Sequence, residues 1–456
     1  MKTITIPSRE IPVRAEVDVL VVGGGPSGIM AAEAASAPGV KVMLIESRGY
    51  LGGNLTIGLP ILSFLDRKGK PIIQGMPQNL IDRLRAQNAA TPHRPCDLHV
   101  SHTMIDCEKV KTIALEIMEE KGVEVLMYVF VSNVIMDGDR IKGVVIESKE
   151  GTQVILAKTV IDCTGDGDVA FHAGAICEKG SKEDGGMQPP TLMFCMKGVN
   201  VAELRENVAD HPEIFDIDIM KNEYFRPDKN FIIVGFRDMI NKARAAGLKI
   251  AVDRTILITG LAKDEIWVNM SRVCGVDSTS PSSYTHGEIE ARRQNEQIAE
   301  YLKRFIPGFE NAWVEKVASF MGIRESRRVI GKYVLTENDI LTCRRFPDAV
   351  LVASYPVDMH NPKGGDCTLR YCDESYDIPY GCFVPQKIEG LLVAGRCAST
   401  THEAMASTRV MSTCMAMGQA VGTAARLCTL HNILPSEVNT DELRKALIKD
   451  GAYLGE

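Results

Sequence analysis

Three glycines, Gly23-x-Gly25-x-x-Gly28, and an acid eighteen residues further on, Glu46, are the residues whose types and spacing most directly specify chemistry in this chain. Gly23 permits a tight turn, Gly25 lets backbone approach a pyrophosphate, and Gly28 lets a helix lie close to a sheet. The helix that starts there offers free N–H groups and a partial positive charge to the diphosphate. Glu46 is placed to accept hydrogen bonds from a ribose. A βαβ unit must position these groups, and the flanking residues supply one. Val17 to Val22 read as a strand, an Ala-rich helix runs from Ser27 to the Pro38-Gly39 stop, and Val40 to Ile45 form a second strand ending on Glu46. The expectation is a dinucleotide cradle.

The residues after Glu46 distinguish between dinucleotides. Glu46-Ser47-Arg48-Gly49-Tyr50-Leu51-Gly52-Gly53 resembles the E-x-R-x-x-x-G-G extension of the FAD-binding flavoproteins. The resemblance implies FAD rather than NAD, with Ser47, Arg48, Gly52, Gly53 and Asn54 among its contacts. The glycine pair passes a loop beside the ribityl chain and flavin ring. Pro26 and the small Ser27 also suit the FAD form of the turn.

At 456 residues the chain has room for two or three domains. A net charge of −7 gives no electrostatic support to nucleic-acid binding. No apolar run of about eighteen residues is present, and the first sixteen residues are polar and strand-like, so a cytoplasmic protein without membrane partners is expected. The 13 cysteines include no C-x-x-C pair, which argues against iron–sulfur and zinc frameworks. Most read as buried thiols in a reducing compartment; Cys397 is the one singled out for reactivity. No metal site is expected.

Residues 56–100 read as an excursion over the cofactor, with one helix near Pro77–Gln87. A helix near Asp106–Lys121 leads into three strands turned at Gly138-Asp139 and Glu150-Gly151. Asp162-Cys163-Thr164-Gly165-Asp166-Gly167-Asp168 follows the last of them. By itself this is a glycine turn or a cation-loop mimic; after such a meander it resembles the second flavoprotein signature, implying Thr164, Gly165 and Asp166 at the cofactor and adenine near the backbone of Phe130. Between 177 and 342 the pattern changes to strands of a mixed or antiparallel sheet, with helices at Glu288–Phe305 and Trp313–Met321. The chain then returns through Gly390-Leu391-Leu392-Val393-Ala394-Gly395, which resembles a third flavoprotein hallmark. A loop and one long small-residue helix come next, with Ser407 or Thr408 able to cap it and Gly418 and Gly422 allowing close packing. In the resembling flavoproteins this helix points its N-terminus at the flavin N1–C2=O edge, which implies roles for the N–H groups of Val410, Met411 and Ser412. Most relatives carry an acid after the third glycine strand. Arg396 stands here instead, leaving the usual hydrogen bond to a ribityl hydroxyl open.

With GIRESRRVIGKYVLTENDIL, YPVDMHNPKGGD, YDIPYGCFVP and GLLVAGRCAST, the chain resembles a bacterial FAD-dependent oxidoreductase family, related to the flavoproteins of fumarate reductase and of heterodisulfide reductase. The implied fold is α/β: a discontinuous, Rossmann-like FAD-binding domain of glutathione-reductase type (1–176 and 343–430) with an inserted mixed α+β substrate domain (177–342), and a helical tail (431–456). There is no second GxGxxG unit for a nicotinamide domain. Arg324, Arg327 and Arg328 share one face if helical, where they would fork a carboxylate, a phosphate or the FAD diphosphate, or else pair with Glu325 and neighbouring acids on a surface. His360 and His402 are the acid/base candidates, with Arg409 orienting an anion. Tyr355, Tyr371 and Tyr380 read as packing or rim residues. The expected activity is hydride transfer between flavin N5 and a small polar substrate, which is anionic if the arginines bind it. The alternatives are a fumarate-reductase-like C=C reductase and an electron-carrier flavoprotein serving a partner, the carrier with a surface flavin and the enzyme with a closed polar pocket holding His360 or His402. The oligomeric state, a homo-oligomer included, and the redox partner stay open.

Overall fold

The computed structural model describes residues 2–5, 7–215, 221–364 and 367–455. Its larger sheet has seven strands. At the centre lies β1 (Val13–Val22), with β2 (Val42–Glu46) and then β3 (Glu124–Met127) parallel on one side. On the other side an antiparallel meander, β4 (Phe130–Asp137), β5 (Arg140–Ser148) and β6 (Gly151–Asp162), returns so that β6 pairs parallel to β1. The return strand Leu391–Val393 also joins β6 in parallel. The parallel part of this sheet is Rossmann-like, and its inner strand β2 is a continuous buried apolar run because both faces are covered there.

Helix α1 (Pro26–Ala35) leaves the end of β1 with Pro at its first turn and no side chain capping it, so its leading N–H groups are free. On that face α2 (Met76–Ala86) and α3 (Cys107–Glu120) also pack, α3 capped by Asp106. The helix most closely apposed to α1 comes from the far end of the chain. A Cβ on Gly418 would stand 2.1 Å from the carbonyl oxygen of Ser27, and one on Gly422 2.3 Å from that of Ala31, so only glycine permits the two backbones to touch there.

A second, antiparallel sheet of five strands is built from β7 (Phe194–Lys197), β8 (Ile232–Gly235), β9 (Thr255–Thr259), β10 (Ile266–Val268) and β11 (Trp313–Val317), in the order β8-β9-β10-β7-β11. It shares an apolar core with α4 (Pro281–Phe305), whose Tyr301 hydroxyl meets Thr255 Oγ1 at 2.6 Å. Trp313–Met321, expected as a helix, begins instead with β11, since pairing to β7 satisfies its backbone. β12 (Val357–His360) and β13 (Cys367–Arg370) pair as an antiparallel hairpin; Gly365 and Asp366 of its motif lie outside the described residues. After β14 (Leu391–Val393), the expected single helix is two: α5 (His402–Thr408), capped by Thr401, and α6 (Met411–His431), which starts at Val410 with no side-chain cap. Ser407 and Thr408 therefore cap nothing, because both are inside α5. The tail carries α7 (Thr440–Lys449). No helix among the described residues is long and apolar enough to cross a membrane.

Candidate active site

A cavity of about 600 Å³ lies between the carboxyl end of the parallel sheet and one face of the five-stranded sheet, the usual position for a ligand in an open α/β fold. At its glycine end, Gly23 adopts φ +98° and a Cβ there would strike the Cys163 carbonyl at 2.6 Å; a Cβ on Gly28 would meet Gly23 O at 1.8 Å. Gly25 differs, for a Cβ there would meet nothing within 4 Å. It faces open cavity, beside the uncapped start of α1. Glu46 is buried at the edge of this space, accepting from Gly24 N at 2.7 Å, Arg48 N at 2.9 Å and Ser47 Oγ at 3.0 Å. Gly52 N donates to Gly24 O at 2.8 Å, so the two glycine loops brace each other.

The wall continues through Gly53, Asn54, Phe130, Thr164, Gly165 and Asp166 to Gly395, Arg396, Val410 and Met411. Arg396 donates to Asp166 Oδ1 at 2.6 Å. Burial raises the Asp166 carboxyl, but the Arg396 charge and hydroxyl donors outweigh it and hold it below its ordinary value. A carboxylate thus sits beside position 396 after all, contributed by the loop after β6. The free N–H end of α6 opens on the same cavity at Val410 and Met411.

Beyond it the lining becomes titratable. Asp358 and His360 alternate on β12 and so share a face. Asp358 Oδ2 accepts from the Tyr355 hydroxyl at 3.1 Å, lies 3.4 Å from His360 Nε2 and 3.9 Å from Arg409. Burial raises its pKa, yet the neighbouring His360, Arg409 and His99 hold the carboxyl far below the usual range. His360 Nδ1 lies 2.9 Å from Arg272 Nη2. A guanidinium only donates, so Nδ1 accepts and the proton sits on Nε2, toward Asp358. Burial, with Arg324 and Arg409 nearby, pushes His360 down to about 3. Arg324 donates to Pro189 O at 2.6 Å and Thr191 Oγ1 at 2.8 Å, and burial together with Arg409 and Arg272 lowers it to about 9. Two nitrogens in this wall, Arg409 Nη1 and His99 Nδ1, are buried without a hydrogen-bond partner among the described residues.

The model of the FAD dependent oxidoreductase family matches residues 18–447, nearly the whole chain. The chain belongs to the FAD-dependent oxidoreductase family. It is also 30% identical to a thiamine thiazole synthase of Methanococcus vannielii over 46% of this chain and 78% of that protein. A second such synthase, from Aeropyrum pernix, is 32% identical over 28% of this chain and 43% of its own length. A ferredoxin–NADP reductase of Streptococcus agalactiae is 44% identical over only 14% of this chain and 19% of its own. Several of these matches therefore span well under two thirds of the relatives they reach. Among solved structures, p-nitrophenol 4-monooxygenase from Pseudomonas putida aligns over 95% of this chain and 84% of its own at 12% identity and a TM-score of 0.48.

FAD is the cofactor of this oxidoreductase, and the cavity suits it. Gly25 leaves the space a diphosphate needs, the α1 and α6 ends present uncapped N–H groups, and Glu46 is the buried acid at the end of β2.

Several expected site residues lie elsewhere. His402 is buried behind the wall, its Nδ1 2.8 Å from Glu325 Oε1, an oxygen that also takes Arg328 Nη1 at 2.5 Å. The pull of that buried carboxylate turns the imidazole away from the cavity. Ser412 spends its hydroxyl on Leu62 O at 2.5 Å, and neither it nor Gly28 nor Gly52 lines the cavity; the two glycines shape the turns instead. Arg324, Arg327 and Arg328 share no helical face, because Arg327–Val329 is a strand. Only Arg324 reaches the cavity: Arg327 pairs with Asp168 at 2.8 Å and Arg328 is buried on Glu325. Cys397 is fully buried, its thiol raised well above the ordinary value by burial, which removes the thiolate that reactivity needs. Tyr355 belongs to the Asp358 cluster, whereas Tyr380 donates to Pro435 O far from it. Asp358 was discoverable from the D-x-H spacing on a strand; Arg272, His99 and Gln188, whose side chain accepts the His360 backbone N–H at 3.1 Å, arrive from distant segments with no local signal.

Proposed function

We propose that the chain is a dehydrogenase or reductase that exchanges a hydride between flavin N5 and an anionic substrate held by Arg324 and Arg409. The observation that carries this reading is the crowding of buried guanidinium groups at one end of the cavity. Burial lowers both pKa values; for Arg324 the charges of Arg409 and Arg272 add to it, while for Arg409 burial outweighs the opposing pull of Asp358. Such a field is relieved by an anion, and a carboxylate accepts two parallel N–H bonds from a guanidinium. FAD supplies the two-electron chemistry when bound; the protein positions the substrate and handles its proton.

His360 is the group that moves this proton. Asp358 faces its Nε2–H and fixes the tautomer, as the orienting acid does in a catalytic triad. Nδ1 accepts from Arg272 while the cavity is cationic. An anion beside Arg324 and Arg409 offsets the charges that depress His360, so its proton affinity rises when substrate is in place. Nδ1 then takes the O–H or N–H proton as the substrate C–H is oxidised, and in the reverse direction it donates one, which also serves reduction of an activated C=C bond. A cavity lined by His360, Asp358 and arginines favours an enzyme over an electron carrier. Asp166 replaces the acid expected at 396 as the acceptor for a ribityl hydroxyl.

The test is anaerobic mixing of the yellow holoenzyme with a metabolite panel while the oxidised flavin absorbance is followed. Bleaching by hydroxy, amino or unsaturated carboxylates, lost in Arg324→Met, is expected. Bleaching by neutral or cationic compounds alone would overturn the reading.

A further inference from the structure

The cationic end is continuous with an apolar wall that a small polar substrate leaves unused. Strands β8 and β9 pair Ile232 with Ile258 and Val234 with Ile256. Their period of two puts these four branched side chains on one face, and all four line the cavity. The opposite face, Ile233 and Leu257, is fully buried in the core shared with α4. Neither strand contributes to the glycine cradle formed by Gly23, Gly25 and Gly28. The junction of this wall with the charged end is direct. The Ile256 carbonyl accepts from Asn269 N at 3.1 Å, and Asn269 Oδ1 lies 3.5 Å from Arg324 Nη2. On the facing hairpin Leu369 is the Cα partner of Asp358 and also lines the cavity. An aliphatic surface therefore begins immediately beside both the guanidinium and the carboxylate–imidazole pair.

Resting on the reading of this cavity as an anion site, we propose that the substrate is an amphipathic carboxylate. Its head group meets Arg324 and Arg409, and its hydrocarbon body lies along Ile232, Val234, Ile256, Ile258 and Leu369. Polar groups along such a body would lose water without gaining partners, whereas each methylene laid on the wall gains the apolar transfer term. The reacting carbon is then close to the head group, where His360 is, and the tail provides affinity and length selection.

The probes are saturated straight-chain monocarboxylates from acetate to octanoate, titrated calorimetrically into holoenzyme, with hexylamine as the opposite-charge control. Affinity should rise about fourfold per methylene, with an increasingly negative heat-capacity change, and hexylamine should not bind. Ile256→Asn should flatten the rise while leaving acetate unaffected. Val234→Thr, of the same shape, should lower it in the same direction if Ile256→Asn fails to retain FAD. Arg324→Met should weaken every chain length by a similar factor. Equal affinity for acetate and octanoate overturns the amphipathic substrate and leaves the anion site standing. Binding of no carboxylate at any length overturns both. Chain-length dependence that survives Ile256→Asn and Val234→Thr undiminished places the tail elsewhere and overturns the assignment of this wall.

Discussion

Replacing Glu46 with Ala removes a buried carboxylate that braces its own loop and that we assign as the ribose acceptor. Its side chain is 6% exposed and accepts three hydrogen bonds, from Gly24 N, Arg48 N and Ser47 Oγ. Hydrogen bonds to a charged acceptor contribute about 1.5–3 kcal/mol, and a buried donor left without a partner costs about 1–3 kcal/mol. Loss of the ribose acceptor alone should therefore weaken FAD by about 1–3 kcal/mol, or roughly 5- to 150-fold in Kd. Because Gly24 is also tied to Gly52 N, loss of its acceptor loosens the second glycine loop, and the apo protein should become less stable too. Glu46→Gln separates the contributions: the amide oxygen keeps one acceptor for Gly24 N, so stability should recover more than FAD affinity does. Flavin fluorescence titration of apo protein gives Kd, and denaturant unfolding of the same samples gives stability. Wild-type FAD affinity in Glu46→Ala would refute the assignment of Glu46 as the ribose acceptor. Equal loss of affinity and stability in Ala and Gln variants would refute the bracing argument.

Two further outcomes follow from packing and burial. Gly422→Ala should destabilise by about 1–3 kcal/mol, because its Cβ meets the Ala31 carbonyl at 2.3 Å. Without that contact Ala would stabilise a helix interior by about 1 kcal/mol, so the sign of the change in thermal unfolding decides the point. Burial pushes His93, His99, His102 and His360 down to about 4, 4, 3 and 3, and unfolding returns each toward about 6.5. The unfolded chain thus binds more protons below pH 6.5, and stability is highest above that pH and lost as pH falls toward 4. Asp162, raised to about 6 by burial, binds a proton in the native state over the same range and offsets one histidine. The net slope is up to about 4 kcal/mol per pH unit between roughly pH 4 and 6; stability that stays flat in denaturant titrations from pH 7 to 5 would refute it.

The parts of the site legible from sequence are those whose geometry is local. Gly23 to Gly28 and Glu46 belong to one βαβ unit, so spacing alone predicts turn, helix and acid. Gly418 and Gly422 are one helical turn apart, and small residues at that spacing already announce a close helix contact. The failures come where pairing or charge from elsewhere decides. Trp313–Met321 has no helix breaker, yet Val314 and Lys316 find partners on β7. The i, i+3, i+4 spacing of Arg324, Arg327 and Arg328 suits a helix, but the segment is extended and sends the three guanidiniums to different places. Nothing near residues 409–410 marks the break between α5 and α6, which lets Arg409 turn its guanidinium to the Asp358 carbonyl at 3.0 Å. Asp358 is the instructive case: its alternation with His360 is in the sequence, but Pro356, Pro362 and Gly364 on either side obscure the strand that carries the pair.

The same geometry reverses the order of the two histidines. By sequence His402 is the stronger candidate, since it directly precedes the segment aimed at the flavin. In the structure its Nδ1 is committed to Glu325, which is fully buried together with Arg328, and no part of it lines the cavity. His402→Ala should therefore cost about 1.5–3 kcal/mol of stability, the loss of a hydrogen bond to a charged group. Folded His402→Ala protein should reduce its flavin at the wild-type rate with the active anion. His360→Gln is the opposite case. The amide can still accept from Arg272, so fold and FAD content should hold. It cannot exchange a proton near neutral pH, so flavin reduction should fall about 10²- to 10⁴-fold and lose the pH dependence that a titrating imidazole imposes. Anaerobic stopped-flow reduction across pH 5–9, with FAD content and unfolding measured on the same preparations, separates the two. Full activity in His360→Gln, or a rate defect in His402→Ala at unchanged stability, would return the proton to His402 and leave Asp358 without an imidazole to orient.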